Sequence, residues 1–236
     1  MPKILASVKN LNETKALIHT KVDIIDLKDP SNGALGRLNI TNINKILDFA
    51  YPYKITSSTI GDLPNDLTLI RNNVDEISNT NINFIKIGVY DKSYIKTLCN
   101  IKSKKKLIAV FFADRFIPNK DEIYSLKLSG FSGVMIDTAK KDNGNIFSYI
   151  PINTIKKFLE ISKSFNLVTG IAGSINENHL DDVIYLNPNY MGFRGAFCEN
   201  KIRHSSISLK KVNYIIEKVN QIKAAREINT KRLSSK

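Results

Sequence analysis

The sequence has no tryptophan, only two cysteines and only three histidines in 236 residues. The scarcity of cysteine and histidine removes classes of protein. Cys99 and Cys198 cannot build a disulfide framework or a four-cysteine zinc module, so a reduced, cytoplasmic chain is expected. His19, His179 and His204 show no metal-ligand spacing. No apolar run reaches the roughly 18 residues that a membrane-spanning helix needs. The opening run Ile4-Leu5-Ala6-Ser7-Val8 meets Lys9-Asn10 at once. That is too short for a signal-peptide core, and it reads as a strand. The first strand also lacks the glycine-rich turn that often opens a doubly wound nucleotide-binding sheet.

Positive charge is abundant. Lysine and arginine number 35 against 22 acidic residues, a formal charge of +13. Such a balance raises nucleic acid as a partner. Its location argues otherwise, because residues 201–236 carry ten basic and two acidic side chains while residues 1–200 carry 25 and 20. The excess is therefore mostly a C-terminal surface property. Lys102-Ser103-Lys104-Lys105-Lys106 is a second basic run, but it lacks the interleaved aromatics of a nucleic-acid platform. Neither a nucleic acid nor a membrane is expected as partner. A small-molecule substrate and further copies of the chain are.

Eight short apolar runs alternate with eight segments of helical period. The strands are expected at residues 3–8, 22–28, 54–59, 84–89, 107–112, 133–137, 167–172 and 190–193. The helices are expected at residues 12–19, 40–50, 67–79, 94–101, 120–128, 154–165, 177–185 and 209–226, with Asn153 and Asn176 as start signals. Eight such units in this length predict an α/β fold, a (β/α)₈ TIM barrel, with the strands buried on both faces. Residues 1–226 are read as one catalytic domain and residues 227–236 as a basic polar tail with a frayed end.

In such a barrel the C-terminal strand ends build the active site. The second strand run, Val22-Asp23-Ile24-Ile25-Asp26-Leu27-Lys28, places Asp26 and Lys28 on one face by its period of two. The fourth buries Lys86 between Ile85 and Ile87. The fifth ends in Asp114, and the sixth in Asp137 followed by Lys140 and Lys141. A lysine inside a parallel strand is costly unless paired or deprotonated. One reading is a buried salt-bridge network, and a single such lysine can also snorkel from a strand edge. The chemical reading is that burial and a second nearby cation depress a lysine pKa until the neutral amine attacks a carbonyl. Lys28 and Lys86 would then divide imine formation and proton transfer, with Asp26, Asp114 and Asp137 balancing charge or acting as acid–base groups. The seventh and eighth strands end in Gly173-Ser174 and Arg194-Gly195, residue types that suit a substrate phosphate. Cys198 follows closely and reads as a small buried thiol.

At these residues the sequence resembles the (5-formylfuran-3-yl)methyl phosphate synthase family, also called 4-(hydroxymethyl)-2-furancarboxaldehyde-phosphate synthase, of methanofuran biosynthesis. The resemblance spans about residues 4–220. It rests on Asp23-Ile24-Ile25-Asp26-Leu27-Lys28-Asp29-Pro30, Gly33-Ala34-Leu35-Gly36, Thr59-Ile60-Gly61-Asp62-Leu63-Pro64, Ile85-Lys86-Ile87-Gly88-Val89-Tyr90, Asp137-Thr138-Ala139, Ala172-Gly173-Ser174-Ile175 and Arg194-Gly195-Ala196 in order. It implies a TIM-barrel lyase that condenses two glyceraldehyde 3-phosphate molecules, with loss of phosphate and water and with no cofactor or metal. It implies the Schiff base for Lys28, the proton acceptor for Lys86 and further active-site positions for Asp137 and Lys141, the spacing to Phe147 favouring Lys141 over Lys140. The alternative reading is another Schiff-base aldolase barrel acting on a phosphorylated sugar.

Overall fold

A computed structural model describes residues 2–140 and 144–234, with side chains through Arg226. Eight parallel strands close a barrel in chain order, and β8 pairs back with β1. They are β1 Lys3–Val8, β2 Ile24–Leu27, β3 Ile55–Thr59, β4 Phe84–Val89, β5 Lys106–Phe112, β6 Gly133–Asp137, β7 Val168–Ile171 and β8 Tyr190–Phe193. The expected (β/α)₈ fold is the observed one. Helices cover the outside: α1 Leu11–Leu17, α2 Ile40–Ala50, α3 Leu67–Ser78, α4 Ser93–Leu98, α5 Lys120–Leu128, α6 Ile146–Tyr149, α7 Ile152–Ser164, α8 Leu180–Leu186 and α9 Leu209–Ser234. Among the described residues, no helix is long and apolar enough to cross a membrane.

Local chemistry sets the helix starts. Asn10, Asn39, Asp66 and Asn119 each accept a backbone N–H of the first turn through the side chain. Three expectations shift. Asn153 is not a cap, because α7 begins at Ile152 after Pro151, whose fixed φ suits entry into a helix. Asn176 does cap, but it caps a 3₁₀ turn, Glu177–His179, that leads into α8. The last helix continues past Arg226 to Ser234. The short α6 has too few residues for a period to show.

Two apolar layers follow from strand alternation. Residues such as Ile25, Leu27, Ile85 and Ile87 face outward onto the helices. Leu5, Ile24, Ile108, Val110, Phe112, Met135 and Tyr190 fill the barrel interior. One glycine is required by this packing. Gly170 and Tyr190 are register partners on β7 and β8, and a Cβ on Gly170 would lie 2.3 Å from the Tyr190 ring. Gly170→Ala is therefore expected to cost about 1–3 kcal/mol as the ring is forced out of place. Urea unfolding measures this, and an unchanged midpoint would refute the account.

Candidate active site

A cavity of about 390 Å³ opens at the C-terminal end of the barrel. That is within the ~300–1,000 Å³ of small-molecule sites. Asp26, Lys28, Lys86, Asp137, Gly173, Ser174 and Gly195 all line it. The sequence places these residues on different strands, and closure of the sheet brings them together.

Asp26 lies at its base, fully buried. The register puts Ser7 of β1, Asp26 of β2 and Ser57 of β3 side by side in one row. Ser7 Oγ donates to Asp26 Oδ2 at 2.9 Å and Ser57 Oγ to Oδ1 at 2.6 Å. Lys86 Nζ, from β4, is 2.6 Å from the same Oδ1. Burial pushes the Asp26 carboxyl pKa up. The charges of Lys86 and Lys28, together with hydrogen bonds from Lys86 and Ser57, outweigh that and hold it below the ordinary carboxylate value. Asp26 is thus an anion shared between two lysines.

Lys28 follows β2, its backbone N–H donating to the Val8 carbonyl at 3.0 Å, and it is 7% exposed. Asp137 ends β6, 2% exposed, and its Oδ1 accepts the Thr138 N–H at 2.7 Å. Tyr190 lies close enough that Asp26 and Asp137 add to burial in raising its phenol pKa. Lys141 lies outside the described residues. Lys140 is exposed, and its backbone N–H binds Asp114.

Two expected site residues have other duties. Asp114 does not line the cavity. Its carboxylate accepts the backbone N–H groups of Ala139 at 2.7 Å and Lys140 at 2.9 Å, so it clamps the loop after β6. Arg194 lines the cavity, but its five N–H donors are committed inside the chain. They reach Glu13 Oε2 at 2.6 Å and Oε1 at 3.1 Å, the Ser7 carbonyl at 3.1 Å, the Arg203 carbonyl at 2.8 Å and the Ser205 carbonyl at 2.9 Å. The guanidinium therefore ties β1, α1 and the loop before α9 together instead of presenting donors to a phosphate. The turns that flank it remain in place for an anion. Gly173 and Ser174 stand at φ of 101° and 53°, a left-handed pair at the cavity rim. Positive φ at both positions marks a turn, and turns that expose successive backbone N–H groups can take anions.

Sequence reasoning missed Ser7, Ser57 and Glu13. Ser7 and Ser57 are polar residues inside apolar strands, which was a visible signal, but only register shows that they flank Asp26. Glu13 stands three residues after Asn10, a capping spacing, and its Oε2 accepts the Lys9 N–H at 2.8 Å. Its second role, toward Arg194, spans nearly the whole chain. The loop before α9 adds Lys201, Arg203 and His204 to the cavity wall. Arg203 donates to the Gly33 carbonyl at 2.9 Å, and Lys201 pairs with Glu177 at 2.8 Å. Cys198 is buried, and burial pushes its thiol pKa up, which makes it inert. Among the described residues, no three His, Cys, Asp or Glu side chains converge to hold a metal ion.

A closed parallel barrel with buried lysines and carboxylates at its C-terminal end defines a TIM-barrel enzyme. The chain matches the model of the 4-HFC-P synthase family over residues 4–216 and belongs to that family, which serves methanofuran biosynthesis. It is similar to the (5-formylfuran-3-yl)methyl phosphate synthase of Archaeoglobus fulgidus, 28% identical over 233 residues, covering 92% of this chain and 99% of that one. The synthase of the same name from Methanococcus aeolicus is 28% identical over 210 residues, covering 83% and 89%. Among solved structures, phosphoribosyl anthranilate isomerase from Thermus thermophilus superposes with a TM-score of 0.65 at 11% identity, covering 93% of this chain and 99% of that one. That likeness concerns the fold alone.

Proposed function

We propose that this protein condenses two glyceraldehyde 3-phosphate molecules into (5-formylfuran-3-yl)methyl phosphate through an imine on Lys28. The observation that carries the reading is the group of Lys28, Lys86 and Asp26, buried in one cavity with Asp137. Lys28 Nζ adds to a triose aldehyde and loses water to form the imine. The Lys86 ammonium gives a proton to the departing hydroxide as that water forms, and the neutral amine it becomes takes the C–H proton that the imine acidifies. Asp26 stabilises the cationic forms as charge passes between the two lysines. The resulting enamine carbon attacks the aldehyde of the second triose phosphate. Asp137 and Lys141 serve the later proton transfers. By atom balance, one phosphate and two waters leave, and ring closure to an aromatic furan draws the sequence forward.

The turns at Gly173-Ser174 and Gly195 hold a substrate phosphate by backbone N–H groups, with Arg194 fixing the loop rather than binding the anion. No cofactor or metal takes part in this reading, and the setting is the cytoplasm. The experiment is incubation with glyceraldehyde 3-phosphate alone, followed by ultraviolet and mass detection. A furan aldehyde phosphate with release of inorganic phosphate is expected. A non-furan aldol product would instead favour a different Schiff-base aldolase, and no reaction would refute both.

A further inference from the structure

A second cavity, of about 280 Å³, lies at the other end of the barrel. Leu5, Ile24, Ile55, Phe84, Ile108 and Val168 form most of its wall, and the polar Ser57 and Asn189 also line it. Four of these are the first residues of their strands, β2, β3, β4 and β7. In a (β/α)₈ barrel, inward side chains at this level ordinarily pack into a filled layer. Here they surround a space instead. An apolar cavity of about 150 Å³ lined by leucine, isoleucine and phenylalanine stays dry and takes benzene. This one, at about 280 Å³, has the volume for a ring that bears a substituent.

Its entrance is cationic. Lys3, the first residue of β1, is exposed and lines the cavity. Lys106, the first residue of β5, is not part of the wall but holds Nζ 5.5 Å from the centroid of the Phe84 ring that is. Two further charges near the strand starts are engaged locally. The Asp23 carboxylate accepts the Ile4 N–H at 2.7 Å, and Lys54 Nζ donates to the Thr20 and Val22 carbonyls at 2.8 and 2.7 Å. An apolar body with a single negative head matches this arrangement. The body removes apolar wall from water, and the head meets ammonium groups where they remain hydrated.

We propose that the N-terminal cavity binds a small aromatic monocarboxylate, its ring between Ile55, Phe84 and Val168 and its carboxylate at Lys3 and Lys106. This inference does not rest on the reaction proposed above. It bears on the site in one respect: Lys86 and Leu5 line both cavities, so a bound ring adjoins the side chain that holds Asp26.

The test is a fluorine NMR titration of the full chain with 4-fluorophenylacetate. A saturable, single-site shift is expected, unaffected by inorganic phosphate, which would compete only at the other end. Val168→Phe fills the cavity at a half-buried strand start, and it is expected to weaken binding about tenfold or more by removing the space for the ring. Lys3→Glu changes an exposed side chain and leaves packing intact. It is expected to weaken binding about tenfold by reversing one charge at the entrance. Thermal unfolding confirms that each variant is folded. An absence of saturation, displacement of the probe by phosphate, or undiminished affinity in either folded variant would overturn the proposal.

Discussion

Borohydride added to the protein with glyceraldehyde 3-phosphate is expected to fix a triose phosphate adduct on Lys28 and on no other lysine. Reduction turns the imine C=N into a stable secondary amine, so peptide mass analysis locates it. Lys28→Ala is expected to lose both the adduct and all furan formation above background, because no other group replaces the covalent step. Lys86→Ala separates the two lysines. It should still trap an adduct, while turnover falls by about 10²–10⁴-fold, the usual worth of a positioned acid–base group. The reason for expecting different roles is geometric. Lys86 Nζ is 2.6 Å from Asp26 Oδ1 at the base of the cavity, whereas Lys28 lies two residues beyond Asp26, just past the C-terminal end of β2. An adduct on Lys86, or turnover by Lys28→Ala, would remove the proposed mechanism.

The second large effect is on stability. Asp26→Asn leaves Lys86 buried beside a neutral amide, and breaking a buried pair in this way costs about 3–5 kcal/mol. Against a typical total of about 5–15 kcal/mol, that brings the barrel near its threshold. The pH dependence has a defined sign. The neighbouring lysines hold the folded Asp26 carboxyl below the ordinary carboxylate range, so its contribution is complete above that range. It is lost as pH falls through the depressed folded value. Urea unfolding should therefore show the full gap between the native protein and Asp26→Asn at neutral pH and a shrinking gap below about pH 4. The double variant Asp26→Leu with Lys86→Met removes both charges. It should recover much of the stability while remaining inactive. A gap that persists unchanged in acid, or a double variant less stable than Asp26→Asn, would contradict the ion-pair account.

The strands were legible because a parallel strand buried on both faces must be apolar throughout. Lys3–Val8, Phe84–Val89, Gly133–Asp137 and Tyr190–Phe193 appear at the bounds expected from the residues alone. Asp26, Lys28, Lys86 and Asp137 stood out for the same reason, since a charge inside such a run is anomalous. Glu13 did not stand out, because an acid in the first turn of a helix looks ordinary. Arg194 and Asp114 show the limit from the other direction. Both have the residue type and the strand-end position of site groups. Only their hydrogen bonds reveal that one ties a loop to α1 and the other clamps the loop after β6.

The scarcity of cysteine, histidine and long apolar runs, the eight alternating units and the anomalous strand charges were determined by the sequence alone, because each depends on residue type and local period. Which charges face one another was decided by the tertiary structure. Ser7, Asp26 and Ser57 align through the register of three strands, and Lys86 on β4 reaches Asp26 on β2 past the intervening β3. The C-terminal lysines and arginines account for most of the formal charge, yet the Lys28–Asp26–Lys86 group lies within the first 90 residues. Electrostatic strength grows with burial and proximity rather than with number, and both are properties of the folded chain.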